Sequence, residues 1–136
     1  MFVLFSIVVY LPQPLAENGP RVILIRNGAF DANQYNFAEI QQFRQLLQDI
    51  LFLEDDVAVV GGVIFVMDFG DVTGTHYKQT SPSALKKISQ YTEEGVPLNL
   101  KANYFINTAS AFASLYGLVR PFLPAKTQNK VRFHLL

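Results

Sequence analysis

Asp68, Asp71 and His76 come nearest, in residue type and spacing, to an acid–base group. They follow the apolar run GGVIFVMDFG (61–70) and so stand near the end of an expected central strand, where α/β proteins often place active sites. A carboxylate and an imidazole there could exchange a proton with a substrate. No nucleophile or cofactor motif accompanies them: the chain has no G-x-S-x-G elbow, P-loop, G-x-G-x-x-G or HExxH. Gly61-Gly62 leads into a strand rather than a helix, so it opens no phosphate loop. The simpler expectation is that Asp68 and Asp71 shape a turn, with His76 at the surface or hydrogen-bonded. With no cysteine and only two histidines, His76 and His134, far apart in sequence, no metal and no cofactor are expected.

Charge is distributed more informatively than these three residues. Eleven Lys/Arg balance eleven Asp/Glu, yet every carboxylate lies in residues 1–94, against six basic side chains there. Residues 95–136 carry Lys101, Arg120, Lys126, Lys130 and Arg132 and no acid. The same stretch holds the apolar segment ASAFASLYGLVRPFL (109–123). A cationic rim around a greasy segment suits an anionic membrane surface, where each Lys or Arg near the lipid contributes about 1 kcal/mol. Unequal placement of charge without function would give the same pattern. Zero net charge argues against a nucleic-acid partner.

A chain of 136 residues makes one domain at most. Charged residues are 16% of it, below the roughly 25% usual in soluble domains, and 50% are hydrophobic. Twelve Phe and six Tyr either fill an ordinary core or wall an apolar ligand cavity.

The elements that would position these residues alternate. The opening run MFVLFSIVVYL has the apolar body of a signal peptide, but no basic residue precedes it and Pro12 and Pro14 follow at once. It is too short to span a bilayer. A buried strand, or a start that replaces true upstream sequence, is expected instead. RVILIRNG (21–28) reads as a buried strand closed by Asn27-Gly28. Asn36 and Glu39 have capping-box spacing, and Phe37, Ile40, Phe43, Leu47, Ile50 and Leu51 recur at helical spacing over 37–54. Glu54, Asp55 and Asp56 then read as a solvated turn. In the run 61–70, Val63, Phe65 and Met67 alternate with Ile64 and Val66, so both faces are apolar, as in a central strand of a parallel sheet. Ser81-Pro82 starts a helix through Leu85, Ile88 and Tyr91. KANYFIN (101–107) reads as a strand, 108–119 as a helix stopping before Pro121, and 128–134 as a helical turn and strand. Strands alternating with helices predict an α/β domain with a mostly parallel sheet.

Several separate blocks resemble one family. GGVIFVMDFGDVTGTHYKQTSPSALKKI (61–88), GVPLNLKANYFINTASAF (95–112), VRPFLPAKTQNKVRFH (119–134) and NGPRVILIRNGAFD (18–31) are similar, in that order, to the CRAL-TRIO lipid-binding domain. The resemblance runs from about Leu11 to His134, leaving 1–10 as an apolar N-terminus outside it. Within the family the chain resembles arthropod proteins similar to α-tocopherol transfer protein and retinaldehyde-binding protein. The resemblance implies a cytoplasmic, non-enzymatic carrier, peripheral at membranes and monomeric when complete. It would hold one small lipophilic molecule between a sheet floor and a helical gate and exchange it at membranes.

Carried over by position, the gate is Phe112 to Lys130. The apolar wall is Val63, Phe65, Met67, Ile88, Tyr91, Leu98, Phe112, Leu115, Val119 and Phe122. Lys101, Lys126 and Lys130 fall where phosphoinositide-reading members carry basic residues. Two positions depart from relatives that read inositol lipids. Leu98 follows Pro97 where yeast-type phosphatidylinositol binders have glutamate, and Asn99 stands where some members have lysine. The family's N-terminal helical domain, and its long helix and glycine-rich end past His134, are not in the chain, which therefore reads as truncated at both ends. An α/β enzyme using Asp68 and His76, or a fragment without function, are the alternatives.

Overall fold

The structure is a computed structural model, and it describes residues 7–11, 17, 19–91, 99–108, 116–117, 120–123 and 125–134. Five strands form one sheet in sequence order: β1 (Val8–Tyr10), β2 (Arg21–Arg26), β3 (Val63–Asp68), β4 (Leu100–Ile106) and β5 (Val131–His134). β1 runs antiparallel to β2, and every other pairing is parallel. This is the α/β, mostly parallel architecture that the alternating elements predict. The opening apolar run thus contributes a sheet strand, with Val8 opposite Ile25 and Tyr10 opposite Ile23.

β3 occupies the middle of the sheet, which is why both of its alternating faces are apolar. Its register fixes what shares a face. Ile23, Phe65, Asn103 and Val131 are aligned across four strands, as are Ile25, Met67 and Phe105 across three. Val63, with 0% exposure, anchors the start of that face in the main core with Ile7, Ile40 and Leu100.

Helix α1 (Phe37–Glu54) starts at the expected capping box: Asn36 Oδ1 accepts from the Glu39 N–H at 2.9 Å, and Glu39 Oε2 accepts from the Asn36 N–H at 3.0 Å. Satisfying two orphan donors reciprocally sets the first turn. Ile40, Leu47 and Leu51 pack into the core as the spacing requires, but Ile50 is 48% exposed and does not join them. At 3.6 residues per turn, 47 and 51 share a side and 50 is rotated away from them.

The acidic trio is not the simple solvated turn expected from its charge. Asp55 ends α1, with its N–H donating to Leu51 O at 2.8 Å. It also begins helix α2 (Asp56–Gly61), its Oδ1 accepting from the Val57 and Ala58 N–H groups at 3.1 and 3.2 Å. Its other oxygen accepts from Arg21 Nε at 2.8 Å. That hydrogen bond, aided by those from Ala58 and Val57, holds the Asp55 carboxyl below the ordinary carboxylate range despite an opposing effect of burial. Charge content alone could not show that one carboxylate would cap a helix and hold the first residue of β2.

Further helices among the described residues are α3 (Gly74–Gln79), α4 (Pro82–Gln90) and the short α5 (Ala125–Gln128), with a 3₁₀ turn at Arg120–Phe122. Ser81 Oγ accepts from the Ala84 N–H at 3.1 Å, and Pro82 sits in the first turn, as the Ser-Pro pair predicts. Most of the helix expected over 108–119 lies outside the described residues.

At the carboxyl ends of the strands two turns are locked together. Asp68 Oδ1 accepts from the Gly70 N–H at 2.8 Å and from Asn107 Nδ2 at 2.9 Å, tying the end of β3 to the end of β4. A side chain at Gly28 would run into the backbone of Gly70 and Asp71, so only glycine admits the turn after β2 this close to the turn after β3.

Candidate functional site

The sheet face bearing Phe65, Met67 and Phe105 does not close against the helices. Between them lies a cavity of about 290 Å³ with predominantly aliphatic and aromatic walls. β2, β3 and β4 supply Ile25, Phe65, Met67, Asn103 and Phe105, because the strand register aligns these positions on one side. α1 supplies Phe37, Gln41, Arg44 and Gln48, while α3 and α4 with their flanks supply His76, Tyr77, Leu85, Ile88 and Tyr91. Tyr116, Leu123 and Val131 join the lining from the C-terminal stretch. Edge-to-face rings stiffen one wall, Phe69 on Phe105 at 5.5 Å and Phe105 on Tyr116 at 5.8 Å.

Of the wall residues named from sequence, Phe65, Met67, Ile88 and Tyr91 line this cavity. Val63 is sealed in the core and is not on the wall. Leu98, Phe112, Leu115 and Val119 lie outside the described residues, as does the side chain of Phe122. Lys101 is exposed near the start of β4. Lys130 immediately precedes β5, and its carbonyl accepts from the Asn103 N–H at 3.0 Å, so both lysines stand at the same end of neighbouring strands. The Lys126 side chain lies outside the described set.

His76 lies on the cavity wall, buried and fully engaged. Its Nδ1 accepts from the Thr73 N–H at 3.0 Å and lies 2.9 Å from Thr73 Oγ1; its Nε2 donates to Phe30 O at 2.8 Å. The Phe30 ring meets the imidazole edge-on at 4.7 Å. With both nitrogens bonded to this framework, His76 braces α3 against the turn after β2. Asp68 is not on the wall, and Asp71 sits in a turn with φ of 64°. The proton-exchanging pair considered from sequence is thus divided between two structural tasks.

Sequence reading passed over the polar wall. Gln41, Arg44, Gln45 and Gln48 recur at helical spacing along α1, a pattern that ordinarily marks a solvated face. Here that row lines the cavity. Arg44 Nε and Nη2, Gln48 Nε2 and Asn103 Oδ1 are buried without a hydrogen-bond partner among the described residues. Burial lowers the Arg44 pKa to about 10, which leaves the guanidinium charged at neutral pH. The residue's remaining accessibility resides in its other atoms. Burial likewise pushes the Tyr10 hydroxyl up to about 12 and raises Tyr77 and Tyr116. Tyr91 is raised first by its hydroxyl donating to Asp49 Oδ1 at 2.8 Å.

Among the described residues no cluster of three His, Asp or Glu could hold a metal ion, and no helix is long and apolar enough to cross a membrane. Fold and site together define an α/β domain with a predominantly apolar cavity against a mostly parallel sheet. The chain belongs to the CRAL/TRIO domain family, a family of lipid-binding domains whose model matches residues 4–135. Its curated relatives include clavesin-1 of Rattus norvegicus, 24% identical over 116 residues that cover 85% of this chain and 32% of the relative. Clavesin-2 of Homo sapiens is 23% identical over 121 residues, 88% of this chain and 36% of the relative. The chain therefore spans about a third of the length of the curated relatives it matches. Among solved structures, that of Sfh5 superposes with a TM-score of 0.71 at 18% identity, over 99% of this chain and 50% of that one. This likeness shows the fold.

Proposed function

We propose that this chain forms the ligand-holding part of a carrier that binds one small lipophilic molecule, tocopherol-, retinoid- or phospholipid-like, and transfers it between membranes without catalysis. The observation that carries this reading is the cavity: about 290 Å³, floored by Phe65, Met67 and Phe105 and roofed by helices rather than packed shut. Interiors normally close to crystal-like density, so an apolar space of this size is where a ligand belongs. The runner-up, an enzyme using Asp68 and His76, is disfavoured because both side chains are committed to holding the framework. Lys101 and Lys130, joined by Lys126 in the same acid-free stretch, would dock the carrier on phosphoinositide-containing membranes.

A transfer assay tests both parts. Phe65→Asp, which puts a charge on the cavity floor, should abolish lipid retention in a protein that still melts cooperatively; retention at wild-type level would exclude the cavity as the binding site. Lys126→Glu with Lys130→Glu should slow transfer to phosphoinositide vesicles several-fold and leave transfer to neutral vesicles unchanged. Added salt should mimic the double variant, because exposed charges lose reach beyond a Debye length of ~8 Å at physiological ionic strength. Equal slowing on both vesicle types would remove the docking assignment.

A further inference from the structure

Arg44 is the one feature of the cavity that an uncharged lipid leaves unexplained. An apolar cavity has no need of a guanidinium, and a buried charge is tolerated only when it is paired and hydrogen-bonded. Arg44 Nε and Nη2 have neither partner among the described residues, and no Asp or Glu is among the described residues that line the cavity. Two more unpartnered groups stand in the same lining, the donor Gln48 Nε2 and the acceptor Asn103 Oδ1. Arg44 and Gln48 thus leave donors unused on one side of a predominantly apolar space, and it is these donors, not the Asn103 acceptor, that an anionic group could engage.

Resting on the carrier reading, we infer that the bound molecule is a long-chain or polyene carboxylate, with Arg44 receiving its carboxylate head and the aromatic walls receiving its tail. Planar guanidinium edges match the two oxygens of a carboxylate, forming short charge-assisted hydrogen bonds. Gln48 adds a donor on the same helix, one turn further on. Charge balance selects the head group. One buried cation is neutralised by one carboxylate, whereas a phosphate monoester of charge −1.5 to −2 would leave excess negative charge with no second Lys or Arg among the described lining residues. Size is compatible, because a cavity of about 290 Å³ lies at the small end of the range for drug-sized ligands. A neighbouring space of about 20 Å³, lined by Arg44, Gln48 and Tyr10, has room for one water. A water could satisfy one N–H but would not neutralise the charge.

The test uses the intact protein with cis-parinaric acid, a fluorescent polyene carboxylate, and its methyl ester, titrated at pH 7.5. The acid should bind at least about tenfold more tightly than the ester, the worth of hydrogen bonds to a charged group. Arg44→Met should erase that preference by weakening the acid alone, and should raise the melting midpoint of the ligand-free protein because an unpaired buried charge is gone. Arg44→Lys should keep part of the preference. Equal binding of acid and ester by the wild type overturns this inference and leaves the carrier reading standing; binding of neither overturns both. Tighter binding of hexadecyl phosphate than of the acid overturns the carboxylate assignment, as does a preference that survives in Arg44→Met. The wild-type comparison decides the matter even if the variants fold poorly.

Discussion

Helix α1 presents two sides that reverse the usual arrangement of a surface helix. Toward the cavity it turns Gln41, Arg44, Gln45 and Gln48; toward solvent it turns Leu46, Ile50 and Leu53, the last 81% exposed. α2 continues the outward apolar row with Val57 and with Val60, 80% exposed. Between the two sides Ile40, Leu47 and Leu51 make the ordinary core contact. A helix that only supported a fold would place its polar residues outside. Polar groups turned inward are what the proposed carboxylate would meet, and apolar groups turned outward at i, i+4 and i+7 leave an exposed apolar row.

Substitutions along and beside this helix can break or sharpen the contrast. Ile40→Ala should have the largest effect, lowering stability by about 2–5 kcal/mol in urea melts, because Ile40 is 1% exposed and its removal leaves a cavity in the packed side. A loss below about 1 kcal/mol would mean that this side is no better packed than the outer one.

Asp55→Ala should rank next, at about 1–2 kcal/mol at neutral pH, the usual cost of deleting an N-cap. Its pH dependence has a definite sign. The folded pKa lies below the unfolded value of about 3.9, so the unfolded state binds more protons as acid is added. The stabilisation is complete above the unfolded value and is lost as pH falls through the depressed folded one. Asp55→Ala should therefore remove part of the wild type's acid sensitivity below about pH 4; parallel acid melts of the two proteins would show the ion pair to be unimportant.

Leu53→Gln should have the smallest effect, within about 0.5 kcal/mol, while reducing the fluorescence of a hydrophobic dye. A destabilisation approaching that of Ile40→Ala would show that the outer row is covered in the native protein.

Much of the scaffold was legible because it obeys local rules. The Asn36–Glu39 box, the Ser81-Pro82 start and the doubly apolar β3 are short-range patterns whose physics is contained in neighbouring residues. Phe65 and Met67 reach the cavity wall because strand alternation carries 63, 65 and 67 to one face. Alternation could not separate Val63, which the core absorbs, from the two that meet open space. That distinction depends on where the helices stop touching the sheet. In sequence Asp55 is one charge among three, since nothing local announces that Arg21, 34 residues earlier, will stand beside it.

Residue order by itself determined the alternation of strands and helices, the central place of β3, and the separation of acidic from basic halves, because propensity, capping and charge act over a few residues. Tertiary structure alone decided that the Gln41–Gln48 row would face inward, that Asp68 and His76 would brace turns rather than meet, and that Arg44 Nε and Nη2 would be buried without a partner among the described residues. The direction in which a polar stripe points is set by what packs on its helix from elsewhere in the chain. A mixed helix such as α1, apolar on more than one side, can be docked in more than one rotation, and only the sheet beneath it makes the choice.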